Sequence, residues 1–197
     1  MNYAQELFQS QNKKDFLNLN MAHKKLKLQE LNRISADEFK EAEKIPLIIV
    51  LDNIRSFNNV GSVFRTADAF RIEKIFLCGI TPQPPHREIH KTALGATETV
   101  NWAYAIDTLE LVQSLRSSGV QCFAIEQTEN SIMLNKFSPD KNNRYAFVFG
   151  NEVDGVRQDV IDNCNGVVEI PQFGTKHSLN ISVCAGVVMW DFSTKIR

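Results

Sequence analysis

Five consecutive apolar residues, Leu47-Ile48-Ile49-Val50-Leu51, follow directly on Pro46. A half-exposed strand alternates apolar and polar residues, whereas a strand covered on both faces reads as a continuous apolar run. This β-branched run therefore predicts a strand sandwiched between two layers. Asn58 and Asn59 then read as caps of an amphipathic helix carrying Val60, Val63, Phe64, Ala67 and Phe70. The alternation continues. Strands are expected at residues 74–79, 99–105, 120–126, 145–149 and 167–170, with helices around 88–94, 109–119 and 156–164. Such a pattern predicts an α/β fold with a mostly parallel sheet and helices on both faces. The last element, residues 178–194, is apolar nearly all round and should be buried, in part against another subunit.

Ahead of Pro46 the texture differs. Residues 1–45 contain neither Gly nor Pro, and Leu26, Leu28, Leu31 and Ile34 form only a loose helical stripe. Ser35-Ala36-Asp37-Glu38 reads as a capping box that opens a short acidic helix. We take 1–45 as a helical, partly basic extension and 46–197 as the main domain. The formal charge of −1 argues against a generic electrostatic nucleic-acid binder. Its distribution is uneven: +1 over 1–45, +2 over 46–95 and −4 over 96–197. Six basic residues (Lys13, Lys14, Lys24, Lys25, Lys27, Arg33) stand between positions 11 and 33, as an RNA-contacting arm or a solvated helix face would have them.

The four cysteines form no C-x-x-C pair and read as reduced, mostly buried thiols of a cytoplasmic protein. The longest uncharged apolar run, 181–190, is far short of a membrane span, and the N-terminus lacks a secretory pattern, so no membrane association is expected. Neither a G-x-x-x-x-G-K-[ST] loop nor a G-x-G-x-x-G turn occurs. His86 and His90 have no third ligand in their vicinity, so no metal site is expected.

Ligands of open parallel sheets bind at the carboxyl ends of strands. Three polar, glycine-containing loops fall there: 52–65, 149–155 and 170–180. Asn59-Val60-Gly61-Ser62-Val63-Phe64-Arg65-Thr66-Ala67-Asp68-Ala69 resembles the first motif of the SpoU (TrmH-like) RNA ribose 2′-O-methyltransferases of the SPOUT superfamily. Phe149-Gly150-Asn151-Glu152-Val153-Asp154-Gly155 resembles the second motif. Ile170-Pro171 through Ser178-Leu179-Asn180-Ile181-Ser182-Val183 resembles the third. Order and spacing match from about Pro46 to the C-terminus.

The resemblance implies a C-terminal trefoil knot within about 148–180, an exception to the usual unthreaded topologies. It implies S-adenosylmethionine as methyl donor, a tRNA or rRNA substrate methylated at a ribose 2′-hydroxyl, and a homodimer. Gly150, Ile170 and Leu179, with Glu126 at its strand end, match cofactor-binding positions. Asn59, Arg65, Glu152, Ser178 and Asn180 match catalytic ones. Turn formation, core packing and helix capping are alternative roles for several of them, Ser178 and Asn180 above all. Arg65 lies six residues beyond Asn59, nearly two turns or roughly 9 Å along one helix. A guanidinium is a poor base, so a phosphate clamp that also stabilises a developing alkoxide suits it better. The ribosomal-protein-like RNA-binding domain common in the family does not precede the catalytic core in this sequence. A catalytically idle RNA- or cofactor-binding protein of the same fold is the alternative.

Overall fold

The computed structural model describes residues 23–197. The apolar run forms the middle of β1 (Ile45–Asp52), and the pleat explains why residues 47–51 include no polar side chain. Leu47, Ile49 and Leu51 enter one core, while Ile48 and Val50 enter a second core on the opposite face. Burying each such side chain contributes roughly 1.5–3 kcal/mol, so a polar residue on either face would be costly. The other strands are β2 (Ile72–Cys78), β3 (Trp102–Ala105), β4 (Gln121–Ile125), β5 (Ile132–Met133), β6 (Tyr145–Phe149) and β7 (Gly166–Glu169). They form one seven-stranded sheet in the order β3-β2-β1-β6-β4-β7-β5. Every pairing is parallel.

Helices cover both faces. The first core receives Phe64 of α2 (Phe57–Phe70), Ile89 of α3 (Arg87–Ala93), and Met189 and Phe192 of the C-terminal helix (Ile181–Ile196). It also receives Phe39 of α1 (Ala36–Glu41) and Ala96 of α4 (Ala96–Thr99). The second core receives Val112 of α5 (Thr108–Ser117) and Val160 of α6 (Gln158–Asp162). The C-terminal helix is therefore α7. Among the described residues no helix is long and apolar enough to cross a membrane.

Several boundaries differ from the sequence reading. Ser56, not Asn58 or Asn59, caps α2: its Oγ accepts the Asn59 N–H at 3.3 Å. The asparagines fall inside the first turn, which leaves the Asn59 amide available for other partners. The expected strand at 99–105 begins only at Trp102, because Thr99 closes α4 and donates its hydroxyl to Asp68 at 2.5 Å. Helix α7 begins at Ile181 with Asn180 as its cap, so Ser178 belongs to the preceding loop. Nor is α7 buried all round. Ile181, Ala185, Val188 and Met189 are buried, whereas Val183, Val187 and Trp190 form an apolar face open to solvent within a single chain.

The extension also departs from expectation. The compact body starts at Ser35 rather than Pro46. The capping box is formed, Ser35 Oγ accepting from Glu38 N–H at 3.2 Å and the Glu38 carboxylate from Ser35 N–H at 2.7 Å. It sets α1 so that Phe39, 4% exposed, joins the core. Residues 23–34 hold only a 3-10 turn, Leu28–Leu31, followed by Asn32 in a left-handed conformation (φ 48°) that stops further helix. Lys13 and Lys14 lie outside the described residues.

The start of α5 yields a test. Asp107 caps this helix, accepting the Glu110 N–H at 3.0 Å, and pairs with Arg157 at 3.2 Å. The Glu110 N–H, with Arg157 behind it, holds the carboxyl below its ordinary 3.8. A depressed carboxylate stabilises the fold above its unfolded value and loses that contribution as pH falls through its folded value. Asp107→Ala should cost about 1 kcal/mol at neutral pH. Denaturant melts of wild type and variant should converge as the solution is acidified below the 3.8 of the free side chain.

Candidate functional site

Because β6 lies between β1 and β4, with β7 next to β4, the loops leaving β1, β4, β6 and β7 gather at one edge of the sheet. Three of them enclose a cleft of about 530 Å³. Glu126, Gly150, Glu152, Ile170, Ser178, Leu179 and Asn180 all line it, although 54 residues separate the first from the last. Ile125, Phe149, Ile170 and Leu179 give it an apolar wall. Glu126, Glu152, Asp154 and Glu169 give it acidic groups, and among the described residues its lining includes no Lys or Arg. Its size is that of an ordinary small-molecule site.

Close backbone crossing builds the cleft. A Cβ added at Gly150 would overlap the carbonyl carbon of Gly155 and the nitrogen of Val156. The position thus requires glycine because the chain passes over itself there. Gly155 adopts φ +69°, and a Cβ on it would strike Glu126 Oε1. That oxygen accepts the Val156 N–H at 3.0 Å, and Oε2 accepts the Gln127 N–H at 3.2 Å. Glu126 therefore lines the cleft while anchoring the loop after β6. Asn151 tightens the same loop, its Oδ1 accepting the N–H groups of Val153 and Asp154, both at 2.9 Å.

The polar candidates divide into two groups. Asn59, Glu152 and Asn180, one from each motif, form a chain: Asn59 Nδ2 donates to Glu152 Oε1 at 3.1 Å, and Asn180 Nδ2 donates to Asn59 Oδ1 at 3.2 Å. The Arg55 N–H approaches Glu152 Oε2 at 3.4 Å. Asn59 does not itself line the cleft but reaches its rim through Glu152. Asn180 has a second task, its Oδ1 accepting the Ser182 N–H at 2.9 Å as the α7 cap. Ser178 lines the cleft and makes no hydrogen bond among the described residues.

Arg65 stands apart. Six residues beyond Asn59, it projects from a side of α2 about 120° away from that of Asn59. It is exposed and lines a separate recess with Asp68, Leu94 and Glu98. Among the described residues it has no ion pair. The chain by itself does not bring Arg65 to the Asn59–Glu152–Asn180 group.

Sequence reading missed Asn151, Gln127 and Cys184. The Asn-x-x-x-Gly turn offered a signal for the first. Gln127 donates to the His177 carbonyl at 2.6 Å and so ties the third loop to the end of β4, a contact no local pattern announces. Cys184 lines the cleft one turn into α7. Burial, reinforced by the Glu126 charge, pushes its thiol up to about 12, so it is a protonated wall and not a nucleophile.

A parallel sheet covered by helices on both faces, with a cleft closed by its carboxyl-edge loops, defines the class of open α/β proteins. Comparison with known proteins narrows it: the SpoU rRNA Methylase family profile matches residues 46–190, and the chain belongs to that family. It is 31% identical over 153 residues to the 23S rRNA (guanosine-2'-O-)-methyltransferase RlmB of Neisseria meningitidis, which covers 78% of this chain and 60% of the relative. The chain thus spans about three fifths of the curated relatives it matches first. Among solved structures, an A. aeolicus TrmH/SpoU tRNA modifying enzyme superposes with TM-score 0.71 at 20% identity, covering 81% of this chain and 79% of the other. An AdoMet-bound rRNA methyltransferase from Sinorhizobium meliloti gives 0.70 at 24% identity, covering 79% and 59%. These two likenesses concern the fold.

Gly150→Ala should destabilise the protein by about 1–3 kcal/mol, the cost of overpacking a filled site. Its thermal midpoint should fall accordingly, with or without any small-molecule ligand. An unchanged midpoint would show that the crossing at Gly155 can relax.

Proposed function

We propose that the protein transfers a methyl group to a ribose 2′-hydroxyl of rRNA or tRNA, with S-adenosylmethionine as donor. The observation that carries this reading is the Asn59–Glu152–Asn180 chain on the rim of the cleft, assembled from three motifs far apart in sequence. Support comes from relatives whose names describe 23S rRNA and tRNA modification, and from the AdoMet-bound neighbour.

The residues present suit the donor. A sulfonium and an ammonium are cationic, and the cleft offers carboxylates without a competing Lys or Arg among the described residues. Ile170 and Leu179 would pack against the adenine, with the Gly150 backbone beside it. Glu126 would hold the loop around it. Bound there, the donor supplies an electrophilic methyl group. The chain's own contribution is placement: Asn59, Glu152 and Asn180 would orient the ribose, with Ser178 as a further hydrogen-bonding group beside it. Arg65, exposed on α2, would clamp an RNA phosphate and stabilise negative charge developing on the 2′-oxygen.

We further infer a trefoil knot through residues 148–180, supported by β6 sitting between β1 and β4 while β7 lies beyond β4. A homodimer through the open Val183, Val187 and Trp190 face of α7 is part of the same reading, as is a cytoplasmic site of action. In it, the basic residues ahead of Ser35 add RNA affinity to the methyltransferase domain.

One observation favours the second reading, a catalytically idle binding protein: Arg65 is remote from the rim. Methyl transfer from labelled donor to rRNA and tRNA prepared from a strain lacking the protein separates the two. Turnover is expected in wild type. Arg65→Ala should lower it about 10²–10³-fold, the scale for one transition-state donor, while cofactor affinity by calorimetry stays near wild type. Cofactor binding without transfer to either RNA would favour the idle reading. Light scattering should give a dimer mass for wild type and a monomer mass for Val187→Asp; a monomeric wild type would remove the dimer from the proposal.

A further inference from the structure

Beside the rim lies a pair of rings that the site does not use. Phe57, the first residue of α2, stacks on His86 with centroids 4.0 Å apart and planes inclined by 30°. Neither is core. Phe57 is 36% exposed although it is a large hydrophobic residue, and His86 is exposed as well. Both rings are fixed in place. Phe57 lies between Arg55 and Asn59, the two residues whose N–H groups reach Glu152. His86 caps α3, its Nδ1 accepting the Glu88 N–H at 3.2 Å, and it follows the conformationally restricted Pro84 and Pro85. The loops after β1 and β2 present the pair at the same sheet edge as the cleft.

The surroundings carry two guanidinium groups and, on the His86 side, the carboxylates of Glu88 and Glu98. Arg55 and Arg87, close to Phe57 and His86 in the chain, are exposed and form no ion pair among the described residues. Glu88 is nearby, but its carboxylate is paired with Lys91 at 3.8 Å. Rigid, solvent-facing aromatic surface near unpaired guanidinium groups is the chemistry that holds an unpaired nucleobase and its flanking phosphates.

We propose that Phe57 and His86 form a stacking platform for an unpaired base next to the nucleotide being methylated, with Arg55 and Arg87 on the adjoining phosphates. This rests on the RNA-methyltransferase reading and adds to it the form of the substrate: a single-stranded or flipped-out segment, not an intact duplex. The solvent-facing part of the pair is left for the base, and the order Arg55–Phe57–Asn59 puts it beside the rim group.

The test uses the full chain and two fluorescein-labelled 12-nucleotide RNAs, oligo(A) and a matched strand with abasic ribose at every position, in anisotropy titrations. Wild type should prefer oligo(A) by about tenfold, the scale of one stacked base. Phe57→Leu keeps apolar bulk without the ring and should abolish the preference, whereas Phe57→Trp should retain it. Arg87→Gln should weaken binding of both strands alike and reduce the salt slope by about one. Thermal midpoint and S-adenosylmethionine affinity, unchanged in Phe57→Leu, would exclude a folding defect. Equal binding of the two strands by wild type, or an undiminished preference in Phe57→Leu, would overturn the platform. Failure of methyl transfer in wild type would instead overturn the reading beneath it.

Discussion

The carboxyl edge of the sheet depends on a backbone crossing with no space for a side chain. At Gly150 the chain leaving β6 passes against Gly155 and Val156, and Glu126 locks the crossing by accepting the Val156 N–H at 3.0 Å. The left-handed Gly155 supplies the turn that makes this possible. If the crossing opened, the loop after β6 would no longer lie beside those after β4 and β7, and both cleft and rim would go with it. Glycine here is a packing requirement of the fold itself, and any ligand finds the approach already made.

What the crossing positions is modest in energy. The bonds joining Asn59, Glu152 and Asn180 lie at the surface, and each contributes a net 0.5–1.5 kcal/mol at most by the usual scale, roughly. They cannot hold three loops together. The order is the reverse: the sheet places β1 beside β6, two buried cores fix the strands, and the polar groups are left at hydrogen-bond distance. Gly61 contributes similarly from below. A Cβ there would strike the Ile89 carbonyl and Thr92 of α3, so the first motif's glycine sets how closely α2 and α3 pack. Rigid elements carrying a few weakly bonded polar groups suit catalysis by placement, because little rearrangement is needed when a substrate arrives.

Most of the fold was legible because burial on both faces leaves a signature that polarity cannot disguise. The run 47–51, the helical spacing of Val60 to Phe70 and the strand at 145–149 all correspond to elements. What failed was decided by hydrogen bonds invisible in a one-dimensional pattern. Ser56 outcompeted two asparagines as a cap, and Thr99 closed a helix where a strand was expected to begin. The two-residue β5 is too short to carry a period. In the site, seven candidates share one cleft because sequence motifs mark loops, and loops at one sheet edge meet. Arg65 shows the limit: spacing gives its distance and angle along α2 but not what that side of the helix faces. The Phe57–His86 pair was equally hidden, since two residues 29 positions apart become neighbours only through adjacent β1 and β2.

The net charge of −1 conceals a division that the structure makes visible. Acidic groups line the cleft, whereas Arg55, Arg65 and Arg87 stand outside it on the first two strand–helix units. Fields in salt decay over about 8 Å, so each surface is felt by what touches it and the total hardly matters. The proposed cationic donor and the proposed anionic RNA make opposite demands on one small protein. Both can be met if the sheet edge is split between them, with the boundary where the reacting atoms meet. Glu152 occupies that boundary: one oxygen is held by the Asn59 side chain and the other faces the Arg55 backbone, while the residue itself still lines the cleft. The change of sign between the two proposed ligand surfaces thus coincides with the group that joins the three motifs.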